Sequence, residues 1–243
     1  MFSIYKKELQ SFFFTPFAYI ITALFMLLFS YVLNTSIANM DSSMLQFSFN
    51  EVFYNVILFF IFLIPILTMR TFSDERKFGT EVLLMTSPAN VFKIVIAKFL
   101  GTVSVFIFML LGSTLFPIVT AMNGAVVISQ LICAYVGFFC FGIMCIAVGM
   151  LISSFTENSI IAAILGEVAM LALLFVDDFS RTDFISQYPK VQSILDSFAA
   201  QSKFTYFSQG VIRLSDVIFF VSAVVLFLAW TIISIERRRW KRG

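Results

Sequence analysis

Long apolar runs without charged residues alternate with short charged segments along this chain. The runs cover residues 17–33, 52–69, 99–156, 159–176 and 217–235, with a single acidic residue in the fourth. A helix needs about 20 mostly apolar residues to cross the hydrocarbon core of a bilayer. Four of the five runs therefore predict one membrane-spanning helix each.

The run over 99–156 is too long for one span, and it contains helix-breaking residues near its middle. Proline removes a helix hydrogen bond, and an Asn-Gly pair favours a tight turn. Pro117 and Asn123-Gly124 supply both signals, which predicts two spans over 99–122 and 125–152. The expected fold class is all-α, with six transmembrane helices and both termini on one side of the membrane.

Composition excludes a soluble fold. The 243 residues are 60% hydrophobic and 12% charged, with 33 Phe and a mean hydropathy of +0.98, whereas soluble domains are about 45–50% apolar and about 25% charged. We expect one transmembrane domain over 1–243. The chain has no His, which is the commonest general base and a common metal ligand, so neither a catalytic nor a metal site is expected. A net charge of +2 gives no support to nucleic-acid binding.

Basic residues divide unequally between the two sides of this topology. Twelve of the sixteen Lys and Arg residues fall in the N-terminal segment, the connection between spans two and three, and the C-terminal tail. The other four, Arg181, Lys190, Lys203 and Arg213, share the long loop over 177–216. Because Lys and Arg are retained in short cytoplasmic segments, we predict that both termini are cytoplasmic.

The long external loop contains a helical pattern of its own. Apolar residues recur there at i, i+3, i+4, i+7 and i+8, which marks one face of an amphipathic helix lying on the outer membrane surface. A plain linker helix and an external gate explain the pattern equally well. The patterned residues are Val191, Ile194, Leu195, Phe198 and Ala199.

The charged connection after the second span has a distinctive order of features. An acidic-basic cluster over 70–77 is followed by Gly79-Thr80-Glu81, by two Leu residues, and by a Ser-Pro turn at 87–88, with Lys98 at the mouth of the third span. This order resembles the signature of type-2 ABC exporter permeases. The residues that match it are Arg70, Asp74, Glu75, Gly79, Thr80, Glu81, Leu83, Leu84 and Pro88.

Two further segments resemble the same family. Residues 4–9 and Thr15-Pro16 are similar to the interfacial elbow helix that precedes the first span of those permeases, and 204–217 is similar to their run before the last span. Among the subgroups, the gliding-motility-associated permeases are the most similar. Gly210 falls within the second segment and joins Val191, Ile194, Leu195 and Phe198 as a candidate external gate.

The resemblance implies a multi-pass permease of the bacterial inner membrane that works in an ATP-driven exporter. It implies a dimer with the same or a homologous permease, a separate cytoplasmic ABC ATPase, and room for a periplasmic accessory protein. The chain has no Gly-x-x-x-x-Gly-Lys-Ser/Thr motif, the sequence that cradles nucleotide phosphates. We therefore expect no enzyme activity and no bound cofactor here, and we expect ATP and Mg in the partner ATPase.

Local chemistry supports a docking role for the charged connection, with a solvated loop as the alternative. Ser73 is expected to cap a helix whose first turn holds Asp74 and Glu75. The free backbone N–H groups at the start of a helix stabilise carboxylates. Gly79 would then end that helical turn or let a partner's backbone approach closely.

Glu167 lies at the centre of the fifth predicted span. A carboxylate at that depth costs about 2.5 to 3.5 kcal/mol on insertion scales, so it must face protein or water, or be protonated. Two interpretations stay open, a polar point on a translocation path and a protonated residue hydrogen-bonded between packed helices. Rival functions are a membrane anchor of an envelope or motility complex that moves no solute, and an ion-coupled carrier using Glu167.

Overall fold

The fold is a bundle of long helices. The computed structural model describes residues 2–39, 46, 47, 49–81, 90–123, 125–180, 188, 192 and 199–242. The helices within them are α1 Phe2–Phe13, α2 Phe17–Ala38, α3 Asn50–Thr68, α4 Arg70–Lys77, α5 Val91–Ser113, α6 Leu115–Asn123, α7 Ile128–Phe155, α8 Ser159–Ser180, α9 Ala200–Ser208 and α10 Leu214–Arg242. Six helical stretches of the described chain are long and apolar enough to cross a membrane, which confirms the all-α, six-span prediction.

Most helices extend beyond the charge-free windows that predicted them. α3 continues through Met69, which keeps helical dihedrals, into the charged helix α4, and α10 continues through the basic residues at the end of the chain. Charged residues favour water over lipid but do not end a helix. A charge-free window therefore predicts which part of a helix lies in the membrane. It does not predict where the helix begins and ends.

The predicted break between the third and fourth spans has two parts. α6 ends at Asn123 and α7 begins at Ile128, as the Asn-Gly signal indicated. A second interruption occurs at Thr114, just before Pro117 enters the first turn of α6. Proline is tolerated in a first turn, because the N–H that it lacks would have had no helical partner there.

Helix α7 forms the centre of the bundle and packs against α3, α8, α9 and α10. Its core contacts are largely aromatic: the Phe138 ring centroid lies 4.7 Å from that of Phe60, and Tyr135 lies 4.8 Å from Phe53. Glycine permits one close approach, since a Cβ on Gly142 would lie 2.3 Å from Cζ of Phe106. The abundant Phe residues thus fill the interior as well as facing outward.

Two short strands close the end of the bundle that lies away from α4. Gln46–Phe47 and Ala125–Val126 pair in parallel, with Gln46 opposite Ala125 and Phe47 opposite Val126. They join the connection before α3 to the connection before α7. α4, the start of α5 and the basic end of α10 meet at the opposite end.

Candidate functional site

The charged helix α4 begins earlier than the sequence indicated. Its first residue is Arg70, so Ser73 lies inside the helix and the prediction that Ser73 caps it is wrong. The Ser73 hydroxyl instead donates to the carbonyl of Met69, one turn back. Serine can satisfy its hydroxyl in this way within a helix, and here Met69, not Ser73, occupies the N-cap position of α4.

A buried ammonium group joins α4 to the first and fifth helices. Lys98 is 1% exposed, and its Nζ lies 2.8 Å from Oε1 of Glu8 in α1 and 2.8 Å from Oε1 of Glu75 in α4. It also donates to the carbonyl oxygen of Thr71 at 2.9 Å. An ammonium has three donors, so Lys98 is fully satisfied. We call Glu8, Glu75 and Lys98 the lysine cluster.

Hydroxyl groups fasten the other side of α4 to α7 and α8. The Ser153 hydroxyl of α7 accepts from the backbone N–H groups of Phe72 and Ser73 at 3.1 and 3.3 Å, and donates to the Met69 carbonyl at 2.9 Å. Ser159 of α8 contacts both Ser73 and Asp74. These bonds serve backbone groups at the junction of α3 and α4, so they hold α4 in register with two spans.

A third set of contacts ties the end of α4 to the last helix. Arg76 lies 2.7 Å from Glu157 and 3.8 Å from Glu81, and Arg238 of α10 lies 3.5 Å from Glu81. Both arginines also donate to the backbone carbonyl of Ser154 at the end of α7. Glu81, a predicted coupling residue, therefore joins two arginines that lie far apart in sequence.

The segment after α4 faces outward. Phe78 is 72% exposed, and Lys77, Gly79 and Thr80 are also exposed. Gly79 has φ of +70° and ends the helix, which is one of the two roles predicted for it. A Cβ added there would meet nothing within 4 Å. The glycine is thus needed for the backbone turn, because residues with a Cβ rarely adopt positive φ. We call residues 77–80 the exposed tip.

The structure separates the predicted coupling residues into three groups. Glu75 and Glu81 are engaged in ion pairs within the chain, Arg70 and Asp74 form a loose pair at 3.9 Å on the α1 side of α4, and Gly79 and Thr80 are exposed. Leu83, Leu84 and Pro88 lie outside the described residues.

The candidate external gate can be placed only at one residue. Val191, Ile194, Leu195 and Phe198 lie outside the described residues. Gly210 has φ of +83° and links α9 to α10, and its carbonyl accepts from the Cys133 thiol at 3.4 Å. A Cβ on Gly210 would lie 2.9 Å from Cγ of Gln130, so this turn packs closely on the start of α7.

Glu167 lies within α8, eight residues after Ser159. The preceding residue, Gly166, packs on α3, where a Cβ would lie 3.1 Å from Cβ of Pro65. Glu167 itself is half-buried, and its Oε1 atom is buried without a hydrogen-bond partner among the residues that the structure describes. The carboxyl group therefore has an unused polar atom inside a membrane-spanning stretch.

Lys98 was counted from sequence only as a basic residue at the mouth of a span, and its buried role was missed. A signal was present: Ile94, Lys98 and Thr102 stand four apart, and Val91, Val105 and Phe106 continue the same buried stripe of α5. Residues three and four apart share one helix face. A lysine on the apolar face of a helix requires a buried acidic partner.

A six-span bundle whose charged connection is fastened to several spans, with an exposed turn beyond it, defines a multi-pass membrane protein. Residues 8–173 match a family described as ABC-2 family transporter protein, and the chain belongs to that family. It is a membrane permease component of an ABC transporter, and in this family such chains are transport subunits while the ATPase is a separate subunit. Comparison with curated proteins gives no match.

Proposed function

We propose that the chain is the permease subunit of an ATP-driven exporter of the bacterial inner membrane, with both termini cytoplasmic. It pairs with a second permease, the same or homologous, and a separate ABC ATPase binds ATP and Mg and drives the export. The family match supports a permease and an ATPase partner in general. Gliding-motility-associated permeases are the subgroup proposed, on the sequence resemblance alone.

The observation that carries this proposal is the contrast between α4, which is fastened within the bundle, and the exposed tip that follows it. The helix is fastened to α1 and α5 by the lysine cluster, and to α7 and α8 by Ser153 and Ser159. The exposed tip that follows it has an apolar ring, Phe78, at its surface. A partner that presses on the tip would move a helix joined to several spans, which is how one subunit can shift another between two packings.

The coupling role therefore divides among the matched residues. Gly79 and Thr80 present the contact surface, while Glu75 and Glu81 position α4 through Lys98, Arg76 and Arg238. Arg70 and Asp74 flank this surface on the α1 side. Leu83, Leu84 and Pro88 continue the proposed surface by the family resemblance.

The first test is affinity purification of the chain from its native membranes, followed by identification of any co-purifying ABC ATPase. Thr80→Trp should then reduce that co-purification, because an indole at an exposed position blocks a close contact without requiring positive φ. Val211→Trp is the matched control, since Val211 is 48% exposed and precedes the start of α10 at the other end of the bundle.

Gly79→Asn complements this test, because asparagine tolerates positive φ better than other residues with a Cβ. It should retain the helix end and weaken ATPase binding less than Thr80→Trp does. Full ATPase retention by Thr80→Trp would refute docking at the tip. An ATPase that binds but drives no transport would favour the alternative of a membrane anchor.

The proposed orientation has its own test. In a background without the native thiols, Val211→Cys should react with an impermeant maleimide in intact cells, and Thr80→Cys should not. Both positions are exposed in the structure, so lack of reaction reports sidedness. Ser73 is buried and would be unsuitable. Reaction at Thr80 alone would invert the orientation.

We place the translocation path beside α8. Glu167 offers an unused buried oxygen there, and Leu174, two turns further along α8, lines a cavity of about 410 Å³ between α2, α3 and α9. Tyr54 and Gln201 close part of that cavity through a hydrogen bond of 2.5 Å. A mixed polar and apolar path suits an amphipathic cargo better than a hydrophilic solute.

A further inference from the structure

A cavity of about 270 Å³ lies between α1 and α4. Phe17, the first residue of α2, and Arg70, the first residue of α4, line it, so the cavity lies where the charge-free runs over 17–33 and 52–69 meet charged segments. The exposed rings of Phe2 and Phe14, 76% and 82% accessible, show that α1 and the turn after it present apolar surface outward. Amphipathic segments of this kind lie at the boundary of the headgroups and acyl chains.

Both signs of charge line this cavity. Lys7 and Arg70 supply cations, and Glu8, Asp74 and Glu75 supply carboxylates. Among the described residues Lys7 forms no hydrogen bond or ion pair, and the only ion pair of Arg70 is the 3.9 Å contact with Asp74. The guanidinium also stacks over Phe17, with Cζ 4.6 Å from the ring centroid. Two cations with unused donors therefore line this cavity.

Two of the carboxylates depend on one cation. Glu8 and Glu75 share the single ammonium of Lys98, whose three donors are already used. Counting Lys7, Arg70 and Lys98 against the three carboxylates, the lining is neutral overall. A neutral lining with available donors and acceptors matches a ligand that carries one charge of each sign.

We propose that this cavity binds the headgroup of a zwitterionic phospholipid with a primary ammonium, a phosphoethanolamine ester. Lys7 and Arg70 bind the phosphate, and the carboxylates of Glu8, Asp74 and Glu75 accept from the ammonium. Its acyl chains extend from the cavity along Phe17 toward the membrane. The lipid then joins the elbow helix α1 to the helix α4.

The same chemistry disfavours the other common headgroups. A choline group has no N–H donor for the carboxylates, and an anionic glycerol headgroup would bring its charge toward three acidic residues without offering an ammonium. A soluble phosphoethanolamine ester shares the polar contacts but lacks the acyl chains. The two sources of this headgroup can therefore be told apart by experiment.

The test is native mass spectrometry of the 243-residue chain in detergent, titrated with phosphatidylethanolamine, phosphatidylcholine and phosphatidylglycerol of identical acyl chains, and with glycerophosphoethanolamine. The phosphatidylethanolamine should bind about tenfold more tightly than each of the others. Lys7→Gln combined with Arg70→Gln should abolish that preference. Lys6→Gln combined with Lys77→Gln removes the same charge from exposed residues outside the cavity and should preserve it.

A separate variant distinguishes recognition from structural damage. Asp74→Asn keeps an oxygen for the Ser159 hydroxyl and removes one negative charge from the lining, so it should shift the preference toward phosphatidylglycerol. Equal binding of the three lipids by the parent, or unchanged preference in the double variant at Lys7 and Arg70, would overturn the proposal. If glycerophosphoethanolamine binds as tightly as phosphatidylethanolamine, the headgroup in this cavity need not come from a lipid, and the proposal of a bound lipid fails.

Discussion

Lys98 and Glu167 are both ionisable residues in helical stretches able to cross a membrane, yet their surroundings differ. Lys98 is 1% exposed and has two carboxylates and a carbonyl within 2.9 Å. Glu167 is half-buried and has an oxygen with no partner among the described residues. The first residue has its partners on other helices of the bundle, while the second has an oxygen atom that no described residue satisfies.

The two residues therefore make different demands on the bundle. A buried ion pair contributes little net stability by itself, but removing one partner leaves an uncompensated charge. Lys98 therefore makes α1, α4 and α5 depend on one another. An unsatisfied polar atom within a membrane stretch is costly, which is why Glu167 is the residue proposed for the translocation path.

The largest expected effect follows from Lys98→Met, which takes the ammonium partner from the buried Glu8 and the half-buried Glu75. The free energy of unfolding should fall by about 3 to 5 kcal/mol. Denaturant or thermal unfolding of the purified chain in detergent measures this. Lys93→Met is the control, because Lys93 is exposed near the start of the same helix and its loss should change little.

Adding Glu8→Gln and Glu75→Gln to Lys98→Met provides a sharper check. The triple variant removes the unpaired carboxylates and should recover much of the lost stability. If Lys98→Met unfolds like the parent, the lysine cluster does not hold these helices together, and the contrast with Glu167 fails.

A smaller effect is expected for Ser153→Ala, which removes the neutral hydroxyl that serves three backbone groups at the start of α4. Leaving buried donors unsatisfied costs about 1 to 3 kcal/mol. The same unfolding assay measures the loss. Ser222→Ala is the control, since that hydroxyl is exposed and donates to a carbonyl on its own helix. A loss as large as that of Lys98→Met would show that hydroxyl groups matter as much as charge here.

Much of the fold followed from sequence because bilayer thickness fixes the length of an apolar helix. The six spans and the break after Asn123 were predictable for that reason. The length of α4 was not, because Ser73 resembles a cap until the helix is seen to continue from α3. Local capping signals cannot reveal a helix that has already begun.

The sequence predicted which residues of the charged connection belong to the candidate site but not which ion pairs they form. The charged connection was identifiable from Arg70 to Glu81, but the partners lie far away in sequence: Lys98 binds Glu8 across 90 positions and Arg238 binds Glu81 across 157. Such pairs depend on how α1 and α10 pack, which no local pattern encodes. The contacts of Ser153 with α4 were still harder to predict, because an uncharged serine in an apolar run does not require a charged partner.

The smallest effect on stability is expected at Glu167. Glu167→Gln keeps the shape and removes ionisation, so the free energy of unfolding should change by less than about 0.5 kcal/mol. Glu167→Leu should also fold and insert, because it removes a polar atom that has no partner in the described chain.

Transport should respond differently from stability. In the purified complex with its ATPase, reconstituted in vesicles, Glu167→Gln should alter ATP-driven transport and Glu167→Leu should abolish it. Val168→Leu, at the neighbouring 59% exposed position, controls for a change on the same helix. Parental transport by both Glu167 variants would make Glu167 a packing residue, whereas a stability loss in Gln approaching that of Lys98→Met would mean that its carboxylate is paired after all.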